Sequence, residues 1–422
     1  MTTARDPFRG LLRPAYDGGS IVNLAVSIAR AGGLEDGPGG PLSPPLSASL
    51  DPFEGRRADG PIVLLTLDGF GAGDLARWAD GGSARGAQWA AASRPLTTVF
   101  PSTTTAALTS LSTGVPPGRH GLVGYRQYLP RFGVVADMLK MSTAGWPGQD
   151  TLIGPHWRPE DLSGAPTLFR RGLRAAALTR DRFRTTGFTR LLYDGAEFVG
   201  YATATDLAHE LLALLGRRRP PDVIYAYWDE LDTIHHLKGP TPRLASLELE
   251  RFAGLLAFVA RHLAPARRRR ATLVVTGDHG QVPASRTGRI SLNEVPGLLD
   301  HLARPLSGDR RAGFLAVRPG HGPAVRRLLA DRLPAGHRLI PMPLARASGV
   351  FGPPPFHPEI EARTGDLLVL VPSPYGLTYL PPGAAPPARH LFGAHGGLEA
   401  EEMQVPRVVL PFAALDAPAA QS

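Results

Sequence analysis

The chain is 422 residues long and 43% hydrophobic, enough for one large core rather than a string of small modules. It holds no cysteine, which excludes a disulfide framework and thiolate ligation of a metal. The formal charge of +9 gathers in arginine clusters at residues 217–219, at 267–270, and at Arg170, Arg171 and Arg174. No aromatic residues interleave them, so they read as solvated faces and helix ends that draw anionic substrates rather than as a nucleic-acid surface.

In chain order, Val22 to Ala31 reads as an amphipathic helix. The apolar run from Ile21 to Ile28 is broken by Asn23 and Ser27 and closed by Arg30, and no stretch reaches membrane-spanning length. The expectation is a soluble, uncleaved, cytoplasmic chain with no membrane partner. Residues 37–45, GPGGPLSPP, are a loop. Residues 61–67 form a strand ending at Asp68, and 76–89 a helix interrupted at Gly81 and Gly82. Then comes TTVFPSTTTAALTSLSTG, residues 97–114. Pro101 and Ser102 open a helix there, with Ser102 as the capping residue, and Gly114 stops it. Three threonines, Thr103 to Thr105, in a first helical turn are poor for the helix. They make sense if a hydroxyl is wanted beside the free N–H groups where an anion would sit.

Residues 126–200, rich in Gly, Pro and aromatics such as Phe132, Trp146, Trp157 and Phe169, read as partly a cap. A helix over 205–217 and a strand over 222–227 lead to Asp232, His235 and His236. A helix over 241–263 and a strand over 272–276 lead to Asp278 and His279. Residues 285–390 read as an inserted α+β subdomain, with strands near 313–317 and 366–371 and a helix over 323–333. His395 follows, and 406–412 closes the chain as an edge strand. The three short runs ending at Leu67, Tyr227 and Val275 have the composition of buried parallel strands. The fold class is therefore α/β, a three-layer α/β/α sandwich on a mostly parallel sheet, one domain over residues 1–422. Carboxylates and imidazoles just past the strand ends occupy the crevice where such sheets bind ligands. Without cysteine, these oxygen and nitrogen donors suit divalent zinc, manganese or iron.

The motifs from Asp68 to His395, in this order, resemble the alkaline phosphatase superfamily, and within it the type I phosphodiesterase/nucleotide pyrophosphatase branch. The absence of cysteine sets aside the sulfatase branch, whose formylglycine is made from it. The resemblance implies a covalent phospho-threonine and two divalent metal ions, with zinc first. One ion would be held by Asp68, Thr104, Asp278 and His279, the other by Asp232, His236 and His395. His235 is a rival to His236, one residue off the family spacing. The nucleophile lies nine residues before Thr113 of the Thr-Gly stop, at Thr104, with Thr103 and Ser102 as runners-up. Nucleotide pyrophosphatases carry an Asn where this chain has Tyr125, so Tyr125 is the candidate substrate contact, of different reach. The implied partner is a small anionic phosphate ester.

Three readings compete. The first is a metal-dependent phosphodiesterase or pyrophosphatase. The second keeps fold and metals but acts as a phosphomonoesterase or phosphomutase. The third is a non-catalytic metal-binding descendant, which the presence of all seven ligand-type residues disfavours.

Overall fold

Three short apolar runs form the centre of the molecule. The computed structural model describes residues 6–35, 37, 39–154, 156–384 and 389–415. The ends of the domain expected over 1–422 and residues 385–388 of the 285–390 insertion lie outside the described residues. The strands are β1 (Ile62–Leu67), β2 (Ser93–Thr97), β3 (Arg126–Leu129), β4 (Val134–Asp137), β5 (Ser142–Thr143), β6 (Ala175–Arg180), β7 (Glu197–Tyr201), β8 (Val223–Trp228), β9 (Thr272–Gly277), β10 (Val282–Pro283), β11 (Arg289–Ser291), β12 (Ser307–Gly308), β13 (Ala312–Leu315), β14 (Arg338–Pro341), β15 (Leu367–Leu370), β16 (Gly376–Thr378), β17 (Gly393–Ala394) and β18 (Gln404–Pro411). The main sheet runs β2-β18-β9-β1-β8-β6-β7. Only β18 is reversed, antiparallel to both β2 and β9. In its middle Leu64 lies beside Tyr225 on one side and Val274 on the other.

The helices that cover it are α1 (Ile21–Ala31), α2 (Ala72–Asp80), α3 (Ala84–Ala91), α4 (Thr104–Thr113), α5 (Pro117–His120), α6 (Gly187–Leu192), α7 (Ala204–Gly216), α8 (Glu230–Lys238) and α9 (Pro242–His262). The period-two alternation of β1 assigns the layers. Ile62 and Leu64 pack with apolar residues of α1 and α4, while Val63, Leu65 and Leu67 pack with those of α2, α7 and α9. Both faces are therefore covered, which is why all six residues of β1 and of β8 are buried. The result is the three-layer α/β/α arrangement. Among the described residues no helix is long and apolar enough to cross a membrane.

Two expectations change. Residues 406–412 do not form the sheet edge. The strand is β18, and β2 covers it. The sequence of β2, SRPLT, has no apolar run to announce it, and its Pro95 and exposed Arg94 are what an edge strand tolerates. The 126–200 stretch also divides. β6 and β7 extend the main sheet, while β3, β4 and β5 join strands of the 285–390 stretch in a second sheet, ordered β14-β15-β13-β12-β3-β4-β5. The junction is one residue pair, Gly308 beside Arg126. One face of this sheet, with Phe314, Leu368 and Leu370, packs on Phe100 and Met403, next to the start of α4.

A buried ion pair fastens the second sheet to the chain that carries His395. Arg311, just before β13, is 1% exposed, and its Nη2 meets Glu402 Oε1 at 2.9 Å and Glu399 Oε1 at 2.8 Å. Glu402 Oε2 in turn accepts the N–H of Gly397 at 2.9 Å. Burial acts to lower the Arg311 pKa, but the two carboxylates hold it above its ordinary value. Removing one partner of such a pair leaves an uncompensated buried charge. Glu402→Ala is expected to lower the unfolding free energy from urea titration by about 3 kcal/mol, the low end of the usual range because Glu399 remains. Adding Arg311→Met should recover most of that loss. A single-variant loss below about 1 kcal/mol would be that of a surface pair and would show that the clamp does not hold the two parts together.

Candidate active site

The carboxyl ends of β1, β8 and β9 open on one crevice. Asp68 follows β1 directly, and Asp278 and His279 follow β9. Asp232 and His236 lie one turn apart on α8, the helix after β8, and so share a face. His395 arrives on the ribbon in which β17 pairs with β10, two residues beyond the Gly280 that follows His279. Gly69 lets Asp68 and Asp232 come together. Its φ is +75°, and a Cβ there would lie 3.1 Å from the Asp232 Cα.

Each carboxylate of the inner pair spends one oxygen on the protein and turns the other to the crevice. Asp68 Oδ2 accepts the Tyr227 hydroxyl, and Asp278 Oδ1 accepts the N–H groups of Gly69 and His279, both at 3.0 Å. Asp68 Oδ1 and Asp278 Oδ2 are buried with no hydrogen-bond partner among the described residues. Both oxygens lie 3.5 Å from His279 Nε2, and the Thr104 hydroxyl lies 3.2 Å from the same nitrogen.

The three histidines are oriented alike. Nδ1 of His279 donates to the Gly280 carbonyl at 3.0 Å, that of His236 to the Gly393 carbonyl at 2.9 Å, and that of His395 to the Ser102 carbonyl at 2.9 Å. A carbonyl only accepts, so the proton sits on Nδ1 and the Nε2 lone pair is free for a cation. The rings of His279 and His395 stack at 3.8 Å, and His236 Nε2 is 3.3 Å from Asp232 Oδ1.

The donors form two groups whose atoms lie within 4.8 Å of one another: Asp68, Asp278 and His279, and Asp232, His279 and His395. His279 belongs to both, and His236 adjoins the second through Asp232. Burial raises the pKa of Asp68, and the Asp278 and Asp232 charges raise it further. Burial also raises that of Asp278, with His279 pulling it back. Burial and the two neighbouring imidazoles hold His395 well below its usual range. A site that disfavours its own anions and protonated imidazoles at once is suited to cations, and the free O and N donors fit zinc, manganese or iron.

The Ser/Thr run is sorted by geometry. The residue capping α4 is Thr103, not Ser102. Ser102 Oγ instead donates to the Gly397 carbonyl at 2.9 Å and accepts the Gly396 N–H at 3.0 Å, so it anchors the His395 loop. Thr105 donates to the Gly124 carbonyl at 3.0 Å. Thr103 Oγ1 has no hydrogen bond of ordinary geometry but lies close enough to Asp309 to pull its pKa down. Thr104 alone of the run meets the donor ring. His235 is fully buried and turned to Asp74, with Nε2 at 3.9 Å from Asp74 Oδ1. Glu230 is held by Arg180 at 2.8 Å and Arg251 at 2.6 Å. Tyr125 is half-buried, its hydroxyl pushed up to about 12 by burial and by Asp137.

Three site neighbours carry no motif. Tyr227 sits within β8 and reads only as a strand residue. Gln281 donates through Nε2 to Asp232 Oδ1. Asp309 comes from the second sheet, and burial raises its pKa while Thr103, His279 and His236 act the other way. A histidine two residues before Gln281 was its only sequence signal.

Residues 62–374 match the family described as type I phosphodiesterase/nucleotide pyrophosphatase, well over half of the chain. Among solved structures, murine ectonucleotide pyrophosphatase/phosphodiesterase 5 is similar at 15% identity and a TM-score of 0.62, over 82% of this chain and 87% of that one. An inactive variant of that murine protein, in complex with AMP, is similar at 14% identity and a TM-score of 0.59, over the same shares. Phosphonoacetate hydrolase from Sinorhizobium meliloti 1021, in complex with phosphonoformate, is similar at 22% identity and a TM-score of 0.59, over 87% of this chain and 94% of that one. At these identities the structural likeness bears on the fold, which it shares. No curated protein sequence matches the chain.

The opposite orientations of His235 and His236 give a direct test. His236→Ala, like Asp232→Ala, is expected to lower bound metal by about one ion per chain, since each removes a donor from one site. His235→Ala should leave metal content near that of the parent, as measured by plasma emission on dialysed protein. Loss of an ion from His235→Ala with retention in His236→Ala would reverse the assignment.

Proposed function

The chain belongs to the type I phosphodiesterase/nucleotide pyrophosphatase family and is a phosphoric ester hydrolase; from that premise we propose that it cleaves phosphodiester or pyrophosphate bonds through a phosphothreonine formed on Thr104. The observation that carries the reading is the Thr104 hydroxyl, 3.2 Å from His279 Nε2, the nitrogen that lies 3.5 Å from the free oxygens of both Asp68 and Asp278. Asp68, Asp278 and His279 would hold one divalent ion, and Asp232, His236 and His395 a second, with zinc suited to this donor set. Bound there, such ions lower the pKa of the hydroxyl and neutralise the phosphoryl oxygens.

The chain's own residues supply the rest. Thr103 makes no side-chain cap, so the first N–H groups of α4 are left to donate to a phosphate oxygen. Thr104 Oγ1 gives its proton to solvent and forms the new bond to phosphorus as the bond to the leaving oxygen breaks, and the leaving oxygen takes a proton from water. A water then attacks the phosphothreonine, which restores the hydroxyl and releases the phosphate ester. Tyr227 holds Asp68, and Gln281 holds Asp232, in place throughout. The fold relatives bound to AMP and to phosphonoformate support a small phosphorus oxyanion as the ligand.

Thr104→Ala is expected to cut turnover of bis(p-nitrophenyl) phosphate by roughly a thousandfold or more while retaining most metal. Thr104→Ser keeps the hydroxyl and should keep partial activity, and Thr103→Ala should be mild. Acid quench followed by mass spectrometry should find phosphate on Thr104. Phosphate on Thr103 or Ser102 would move the nucleophile; activity with no covalent species under any metal condition would remove the mechanism.

A further inference from the structure

The second sheet brings a set of cations to one side of the metal donors. Arg310 directly follows Asp309, and Asp309 lies against the His395 loop: a Cβ on Gly396 would sit 2.6 Å from the Asp309 Cβ. The Arg310 backbone is fixed at both ends, its N–H donating to Asp309 Oδ1 at 2.7 Å and its carbonyl accepting the Leu377 N–H at 2.6 Å. Its guanidinium is not fixed. Arg310 Nε is buried with no hydrogen-bond partner, and among the described residues no carboxylate oxygen lies within ion-pair distance of that side chain.

Other cations converge on the same place. The guanidinium of Arg286, on the exposed rim, stands 5.3 Å from the Phe392 ring, and His390 meets that ring edge-on at 4.8 Å. Phe392 in turn donates its N–H to the His236 carbonyl at 2.7 Å, which places the group beside the second set of donors. His390 Nε2 also lacks a partner. Arg289, from the β11–β16 pair, is nearby but is paired with Glu294 at 3.3 Å. The crowding is felt by the groups themselves. Burial and then Arg310, Arg286 and Arg289 hold His390 below its usual pKa, and Arg310 contributes to the lowering of His395. Asp309 offsets part of the Arg310 charge, the remaining like charges crowd one another, and a bound anion relieves that crowding.

Resting on the phosphoester reading above, we propose that Arg310, with Arg286 and His390 at the rim, forms a subsite beside His236 and His395 that binds a second anionic group of the substrate, a phosphate or a carboxylate attached to the phosphoryl group under attack. A guanidinium suits either group because its planar fork matches both oxyanions. Substrates with two anionic ends, such as phosphoanhydrides, are thereby preferred over simple diesters with neutral arms.

The test is calorimetry on the zinc-loaded full chain, with free zinc held constant and three probes that are not phosphate esters: methylphosphonate, methylenediphosphonate and phosphonoacetate. The parent protein should bind at least one of the two dianionic-ended probes more tightly than methylphosphonate. Arg310→Met should reduce that margin by about tenfold or more, the usual effect of losing a charge-assisted hydrogen bond. Arg310→Lys should keep part of it. Loss of the margin for methylenediphosphonate identifies a phosphate subsite, and for phosphonoacetate a carboxylate subsite. Arg310→Met weakening all three probes alike, or none, would overturn the proposal. So would methylphosphonate binding with no margin in the parent, which leaves the phosphoester reading intact; binding of no probe at all would count against both. The experiment repeated in Thr104→Ala separates the subsite from the nucleophile, since binding does not need the attacking oxygen.

Discussion

The structure depends on holding carboxylates together that repel one another. Asp68, Asp232 and Asp278 converge at the ends of three strands, with the first and last fully buried, and Asp309 stands across the crevice. Burial disfavours the ionised forms of Asp68, Asp278 and Asp309, and the charge of Asp232 adds to the effect at Asp68 and Asp278. The protein does not answer this with arginines. It answers with neutral donors, the Tyr227 hydroxyl, the Gln281 amide and the N–H groups of Gly69 and His279, which fix one oxygen of each carboxylate. The other oxygens stay free. An arginine at that place would have filled the position a divalent ion needs; the neutral clamps set geometry and leave the charge uncompensated.

This division of labour decides what the sequence could reveal. Asp68, Asp278 and His279 are legible because a parallel strand is a contiguous apolar run and its end is a local event. The same is true of α4, where Gly114 takes the left-handed conformation that ends the helix. Asp232 and His236 are legible because helical spacing sets them on one face. The clamps are not legible. Tyr227 faces Asp68 only because β8 lies beside β1 in register, with Thr66 opposite Tyr227. Nothing in YAYW distinguishes a tyrosine that packs from one that holds a buried carboxylate. Gln281 depends on the β10–β17 pairing, which joins segments more than a hundred residues apart. The error over Ser102 has the same origin. Its composition suits a helix cap, but the competing partners, Gly396 and Gly397, come from the far end of the chain.

The second sheet is the larger case. β12 has two residues and meets β3 through one pair, so no periodicity betrays it. Yet this contact turns two stretches that look separate, 126–143 and 307–370, into one wall of the crevice. Tyr125 stands at the start of β3, and Asp309 and Arg310 fill the turn between β12 and β13. Both stretches thus belong to one sheet, and its turn at Asp309 lies against the His395 loop. On the reading proposed above, substrate preference would be written on this wall and the chemistry on the main sheet.

The two parts are coupled through a short path of buried contacts. Arg311 holds Glu402, Glu402 holds the N–H of Gly397, and the Gly397 carbonyl accepts from Ser102. The Ser102 carbonyl in turn fixes His395, and Ser102 lies two residues before Thr104. A shift of the second sheet would therefore move His395 and the start of α4 as one unit. Because His279 stacks on His395 and contacts Thr104, the Thr104 hydroxyl would keep its distance to the donor ring during such a shift. Arg310 is tied to that ring at two points, through Asp309 and its close approach to Gly396, and through the neighbouring Arg311 of the clamp, while its guanidinium itself is held by neither. Replacing the wall while keeping the clamp is thus a physically available route by which one reaction centre can be offered to different anionic substrates.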